Sequence, residues 1–292
     1  MFAGVEAGGT SFVCAVGTGP GDLRERAVIA TGTPVETLAG VAAHLRRFEL
    51  DAIGIASFGP LDLARGRITS TPKPGWSGAE LVAQLRAELG ALPVGFDTDV
   101  NGAALAEWRW GAATGLDTFV YVTVGTGIGG GGMAGGELMH GLIHPEMGHM
   151  RLPRHPLDPL ATGACRFHPD CWEGWAASAA IEKRWGDGVQ ASDLGGDELE
   201  LLAHYVAAGV ANIVCTISPQ RLILGGGIVL GGEHRERMLG SVRRQVAELL
   251  GGYLEAEELG AAIGDYIVAP ALGADAGVLG AIALAERAAR AD

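Results

Sequence analysis

Two places in the chain repeat one arrangement: a short apolar run, a glycine turn containing threonine, and a second short run. Residues 2–7 and 12–17 flank Gly8-Gly9-Thr10, and residues 119–124 lead into Gly125-Thr126-Gly127-Ile128-Gly129 and a returning run. Short apolar runs joined by glycine predict strand–turn–strand hairpins. After the first hairpin, residues 27–30 can add a strand and Thr33-Pro34 opens a helix to about residue 48. A strand over 52–57, a helix over 81–89, a strand over 94–96 and a helix over 100–110 follow. After the second come a long helix from about 198 to 217, a strand over 222–224, a helix over roughly 235–250, a strand over 266–269 and a last helix over 276–290. The pattern predicts a duplicated α/β unit, divided into domains 1–116 and 117–292, with a ligand cleft between them.

The glycines carry most of the functional signal. There are 48, and three groups stand beside predicted strands: Gly8-Gly9-Thr10, Gly125-Thr126-Gly127 and Gly225-Gly226-Gly227. Glycine is required where backbone approaches a ligand closely, and amides in such turns form anion-binding nests. One cluster alone is equally a tight turn; three, two of them in equivalent places, point to phosphate. No Gly-Lys-Ser/Thr follows, so this is not a P-loop. A formal net charge of −13 offers no basic footprint for nucleic acid, so an anionic cosubstrate must be held by local amides and a bound cation. No apolar run reaches the length of a membrane span, and the opening residues lack a basic signal-peptide region, so the expected location is cytoplasmic.

Two further constellations stand out. Asp97-Thr98-Asp99-Val100-Asn101 lies where a strand gives way to a helix. A carboxylate there can orient a hydroxyl and accept its proton during phosphoryl transfer, or Asp99 can simply cap the helix. Cys165-Arg166-Phe167-His168-Pro169-Asp170-Cys171 places three soft ligands within seven residues, the separation that tetrahedral zinc accepts. A fourth ligand is usually supplied from a distance, with His144, His149 and His155 as candidates. A disulfide is disfavoured in a cytoplasmic protein.

Taken in order, Gly4-Val5-Glu6-Ala7-Gly8-Gly9-Thr10, Asp97 to Asn101, Val124 to Gly130, Pro145-Glu146-Met147-Gly148-His149 and Leu224 to Gly227 resemble the ROK family (repressors, open reading frames and kinases) across nearly the whole chain. Ser57 to Pro60, Ser70 to Trp76 and the Cys-x2-His-x2-Cys loop are similar to its zinc-containing fructokinase branch. The resemblance implies an α/β two-domain actin/hexokinase-like (ribonuclease H-like) ATPase fold, a last helix returning to the first domain, and a homodimer. It implies ATP-dependent phosphorylation of a hexose, fructose at its 6-hydroxyl first, with glucose, mannose or N-acetylhexosamine as alternatives. Asp99 would be the base. Asn101, Glu146, His149 and Glu173 would contact the sugar. Gly8, Gly9, Thr10, Gly125, Thr126 and Gly127 would cradle the phosphates of Mg²⁺-bound ATP, and Gly225 and Gly226 would lie near the adenosine. His149, Cys165, His168 and Cys171 would bind a structural zinc. The chain departs from the family pattern at Glu6, where aspartate is usual, at Ser11, where many members have lysine, and at Thr98 and Val100. His168 stands where most members have cysteine, as in the fructokinase branch.

Overall fold

The computed structural model describes residues 1–291. The elements run β1 (Phe2–Ala7), β2 (Ser11–Gly19), β3 (Asp22–Ala30), α1 (Pro34–Leu45), β4 (Ala52–Ser57), β5 (Leu61–Asp62), β6 (Arg67–Ile68), α2 (Leu81–Leu89), β7 (Val94–Thr98) and α3 (Asp99–Trp110). They continue β8 (Phe119–Val124), β9 (Ile128–Ala134), β10 (Glu137–Leu138), α4 (Trp172–Ala176), α5 (Ser178–Trp185), α6 (Gly196–Ile217), β11 (Leu222–Gly225), α7 (Gly227–Leu230), α8 (Arg235–Leu250), α9 (Ile263–Tyr266), β12 (Ile267–Val268) and α10 (Ala276–Ala291). They divide into two compact units. One holds residues 1–116, 138–145 and 270–291; the other holds 117–137 and 146–269.

The first unit is built on a five-stranded sheet in the order β3-β2-β1-β4-β7. The β1–β2 and β2–β3 pairs are antiparallel, and β1–β4 and β4–β7 are parallel. Alternation along β1 sends Ala3, Val5 and Ala7 into a core with Leu38, Val41 and Leu45 of α1 and Leu81 and Leu85 of α2. Helix α1 forms where Thr33 and Glu36 make a reciprocal capping box with Pro34 at the first helical position.

On the other face, Gly4, Gly54 and Gly95 stand in register on adjacent parallel strands. Helix α10 lies directly on this row. A Cβ on Gly54 would sit 1.8 Å from the Ala281 carbonyl oxygen, one on Gly95 2.3 Å from that of Leu284, and one on Gly4 2.7 Å from that of Val278. The same helix crosses α3 where a Cβ on Gly280 would meet the Gly102 carbonyl at 2.0 Å. Glycine at all five positions lets two helix backbones approach the sheet and each other without side chains between them. Glu107, fully buried near the end of α3, accepts from the amides of Ala112, Ala271 and Leu272 at 2.6, 3.1 and 2.9 Å and so fastens the segment leading to α10.

The second unit repeats the strand order, β10-β9-β8-β11-β12, with β8–β9 antiparallel and β8–β11 and β11–β12 parallel. Helix α6 packs against α8 and α4. It is long and apolar enough to cross a membrane by length and composition, contrary to the expectation from the sequence, and more than half of that stretch is buried inside the protein. Beneath α6, Asp158 and Arg184 form a bidentate pair at 3.0 and 2.8 Å with both side chains fully buried, and the Tyr205 hydroxyl donates to Asp158 at 2.6 Å. Burial alone would raise the Asp158 carboxyl, but the hydrogen bonds from Arg184, Tyr205 and the Leu160 amide outweigh it and hold it below the usual range.

Candidate active site

In the first unit the parallel strands end together, with Ala7 opposite Ser57 and Ser57 opposite Thr98. The Gly8–Thr10 turn and the start of α3 therefore leave the sheet along one edge. The Gly8–Thr10 turn is pinned by Thr31, whose amide donates to the Thr10 carbonyl at 3.0 Å and whose hydroxyl donates to the Gly8 carbonyl at 2.9 Å. Gly9 and Thr10 are exposed at its tip. A Cβ on Gly8 would meet the Ser11 carbonyl at 2.6 Å, so that glycine is sterically required.

Thr98, not Asp99, caps α3: its hydroxyl accepts the Asn101 amide at 3.1 Å, and Asp99 is the first helical residue. The expectation that Asp99 is placed as the cap is corrected by this geometry. The Asp99 carboxylate accepts from the Val100 amide at 2.9 Å, where the positive end of the helix favours its negative charge. Asn101 is fully buried, and its Nδ2 donates to Asp97 Oδ1 at 2.9 Å. The other Asp97 oxygen meets His140 Nε2 at 2.9 Å. Neither Asp97 nor His140 was singled out in the sequence. Asp97 sits within a motif where Asp99 drew the attention, and nothing local marks His140, 43 residues away.

Glu6, on the α10 face of β1, lies against Gly277, where a Cβ would fall 2.3 Å from its carboxyl. Burial pushes the Glu6 carboxyl up to about 7, with the charge of Asp99 adding to the rise, Arg26 opposing it and Asp275 adding again.

In the second unit, the Gly125–Gly127 turn closes on itself through the Gly125 amide and the Gly127 carbonyl at 2.9 Å. Ser178, opening α5, donates to the Gly125 carbonyl from its amide at 3.0 Å and its hydroxyl at 3.1 Å. Strand β11 runs parallel to β8 with Gly225 opposite Thr123, which brings the Gly225–Gly227 group beside this turn. Gly226 has φ 91° and its Cβ would collide with the Val124 carbonyl at 2.2 Å. Only glycine tolerates both that φ and that contact at this position. Glu173, in the first turn of α4, accepts the Ile128 amide at 3.0 Å and lies where a Gly127 Cβ would be 2.8 Å from its carboxylate. Glu146 stands immediately before the short 3₁₀ turn Met147–His149, and the His149 amide donates to its carbonyl at 3.0 Å.

His149, Cys165, His168 and Cys171 come together, with their ligand atoms all within 4.8 Å of one another. His149 Nδ1 is 4.0 Å from Cys165 Sγ and 3.7 Å from Cys171 Sγ. Bonds of about 2.3 Å to sulfur and 2.0–2.1 Å to nitrogen give tetrahedral edges of roughly 3.4–3.8 Å, so the cluster fits a four-coordinate metal. His168 Nδ1 is buried and has no hydrogen-bond partner, as a ligand nitrogen would be. His144 and His155 lie outside this set. The Leu61 amide donates to His144 Nε2 at 2.9 Å, and the Leu157 amide donates to His155 Nδ1 at 3.2 Å. Cys171 also caps α4 through the Gly174 amide, which ties the cluster to the turn that carries Glu173.

Comparison with known proteins agrees with this architecture. The ROK family model matches residues 2–288. Fructokinase from Zymomonas mobilis is 42% identical over 298 residues, covering 98% of this chain and 96% of that protein. The ROK hexokinase from Thermus thermophilus superposes with a TM-score of 0.79 at 29% identity, over 100% of this chain and 99% of that one. A ROK family glucokinase from Streptomyces griseus, solved with glucose and AMPPNP, superposes with a TM-score of 0.77 at 26% identity, over 98% and 99%. The fold is that of the actin-like sugar kinases, and the chain belongs to the ROK family.

Proposed function

We propose that this protein is an ATP-dependent fructokinase that transfers the γ-phosphoryl group of ATP to the 6-hydroxyl of D-fructose. The observation that carries the reading is the start of α3. Thr98 caps the helix, and the Asp99 carboxylate, held by the Val100 amide at the first helical position, is the group that meets a sugar hydroxyl. Likeness to the Zymomonas mobilis fructokinase over almost the full chain supports fructose as the acceptor. Asn101, Glu146, His149 and Glu173 bind the sugar. The turns Gly8-Gly9-Thr10 and Gly125-Thr126-Gly127 hold the ATP phosphates through the hydroxyls of Thr10 and Thr126 and through amides other than those of Gly8 and Gly125, which donate within the turns. Gly225 and Gly226 lie by the adenosine.

Phosphoryl transfer through a loose transition state depends on alignment and charge neutralisation. Mg²⁺ bound with the ATP phosphates supplies part of that neutralisation. Asp99 aligns the acceptor hydroxyl and takes its proton as the new bond forms. Zinc is the metal that fits His149, Cys165, His168 and Cys171, and four protein ligands leave it no open position, so its role is structural. With Nδ1 turned towards the sulfurs, His149 keeps Nε2 for a sugar hydroxyl. Cys171 and His149 thereby link the metal to two sugar-binding segments. The enzyme acts as a cytoplasmic homodimer.

The test is an ADP-release assay with ATP and Mg²⁺ against fructose, glucose, mannose and N-acetylglucosamine. Strong turnover with fructose is expected, and Asp99→Ala should lower it about 10²–10⁴-fold. Preference for another hexose would overturn the choice of fructose. Near-normal turnover in Asp99→Ala would overturn the role of Asp99.

A further inference from the structure

Asp97 has no part in the chemistry above, yet it is nearly inaccessible and organises everything around it. Its Oδ1 accepts from the Thr98 amide at 2.7 Å and from Asn101 Nδ2 at 2.9 Å, and its Oδ2 lies 2.9 Å from His140 Nε2. An ionised carboxylate only accepts hydrogen bonds. The Asn101 amide nitrogen must therefore face it, and His140 must carry its proton on Nε2. In the neutral ring, Nδ1 is then an acceptor. The ring is 38% exposed where its partner Asp97 is 4% exposed, so a buried anchor holds an accessible imidazole. His140 Nε2 also stands 3.3 Å from Asn101 Nδ2, two positions along α3 from Asp99. The charged groups facing the ring are Asp97 from β7 and Arg287 from α10.

We propose that His140 is a further sugar-contacting residue, its Nδ1 accepting a hydrogen bond from a hydroxyl of the acceptor sugar, and that Asp97 is a positioning residue that fixes the tautomer of the ring. The assignment rests on the sugar kinase reading above. A hydroxyl-rich neutral ligand suits the site because the donor that Nδ1 requires is supplied by any sugar hydroxyl. Protonation of the ring converts Nδ1 from acceptor to donor, so the sugar hydroxyl must reverse its direction to keep a contact, and a hydroxyl whose oxygen already accepts from another group loses it. Pairing with Asp97 raises the pKa of His140 above the ordinary histidine value, against burial and Arg287, so this loss begins at a higher pH than for a free ring.

The deciding variant is His140→Gln. Its amide nitrogen can replace Nε2 and keep the Asp97 contact, but it leaves nothing at the place of Nδ1. Sugar affinity is measured by calorimetry without nucleotide, and KM for sugar and for ATP in the coupled assay, from pH 5.5 to 8.5. Loss of one buried hydrogen bond to a ligand weakens sugar binding about tenfold. KM for ATP is expected to stay within about twofold of wild type, a change of no more than roughly 0.4 kcal/mol. In the wild type, sugar binding weakens towards low pH, and His140→Gln loses that pH dependence. Wild-type sugar affinity in His140→Gln, an equal loss towards ATP, or an unchanged acid limb would each show that the pair only holds residues 138–145 against α3, and would overturn the proposal. A wild-type protein that neither binds nor phosphorylates any hexose fails earlier, at the kinase reading itself, and takes this assignment with it.

Discussion

Replacing Glu6 with glutamine removes a proton that the folded protein holds more tightly than the unfolded chain does. Burial first, and the neighbouring charge of Asp99 second, push this carboxyl from 4.5 to about 7. The native state thus binds the proton more tightly than the unfolded chain does, and stability falls as pH rises through that window. The contribution is complete below pH 4.5 and gone above about 7. The difference integrates to on the order of 3 kcal/mol. The glutamine side chain of Glu6→Gln has no proton to lose and resembles the protonated acid in shape. Urea unfolding followed by tryptophan fluorescence at half-unit steps from pH 5 to 8 gives the free-energy difference between the two proteins. The variant should be close to the wild type at pH 5 and the more stable of the two at pH 8. His140 and the remaining titrating groups are common to both proteins and cancel in the difference. A difference flat across this range would refute the argument, because it would mean that Glu6 is as well solvated in the folded protein as in the unfolded chain.

The glycine row makes a second test. Gly54→Ala places a methyl 1.8 Å from the Ala281 carbonyl, a backbone atom that moves only if α10 does, and should cost roughly 3 kcal/mol or more, the upper end for overpacked cores. Thermal melts read this directly. By contrast, Gly240→Ala, within α8 and with open space around its Cβ, should stabilise the protein by about 0.5–1 kcal/mol. Elemental analysis of the purified protein should find one zinc per chain. Cys171→Ser should lose the metal and raise KM for the sugar more than KM for ATP, whereas His168→Cys should keep it; a metal-free protein with normal sugar kinetics would remove the structural role of the cluster.

The sequence carried the parts of this fold that short-range chemistry dictates. The two hairpins follow from apolar runs around glycine turns, and α1 follows from Thr33, Pro34 and Glu36 within four residues. Three side chains of the Cys/His cluster were legible because they fall within one seven-residue loop. The fourth, His149, was one of three histidines that spacing left open and that family resemblance singled out. Where the reading stopped, the cause was distance along the chain. Gly4, Gly54 and Gly95 look like unrelated strand glycines until parallel pairing sets them in one row under a helix more than 180 residues away. The cap of α3 went to Thr98, whose hydroxyl accepts the Asn101 amide, because the helix begins at Asp99, one residue earlier than the local pattern indicated. Local pattern determined which segments are strands, helices and glycine turns, since those depend on neighbours a few residues apart. Only the tertiary structure decided that Asp97 would hold His140 and that Glu6 would be buried against Gly277 with its proton retained near neutrality, because hydrogen-bond partners and desolvation are set by groups the chain brings together from far apart.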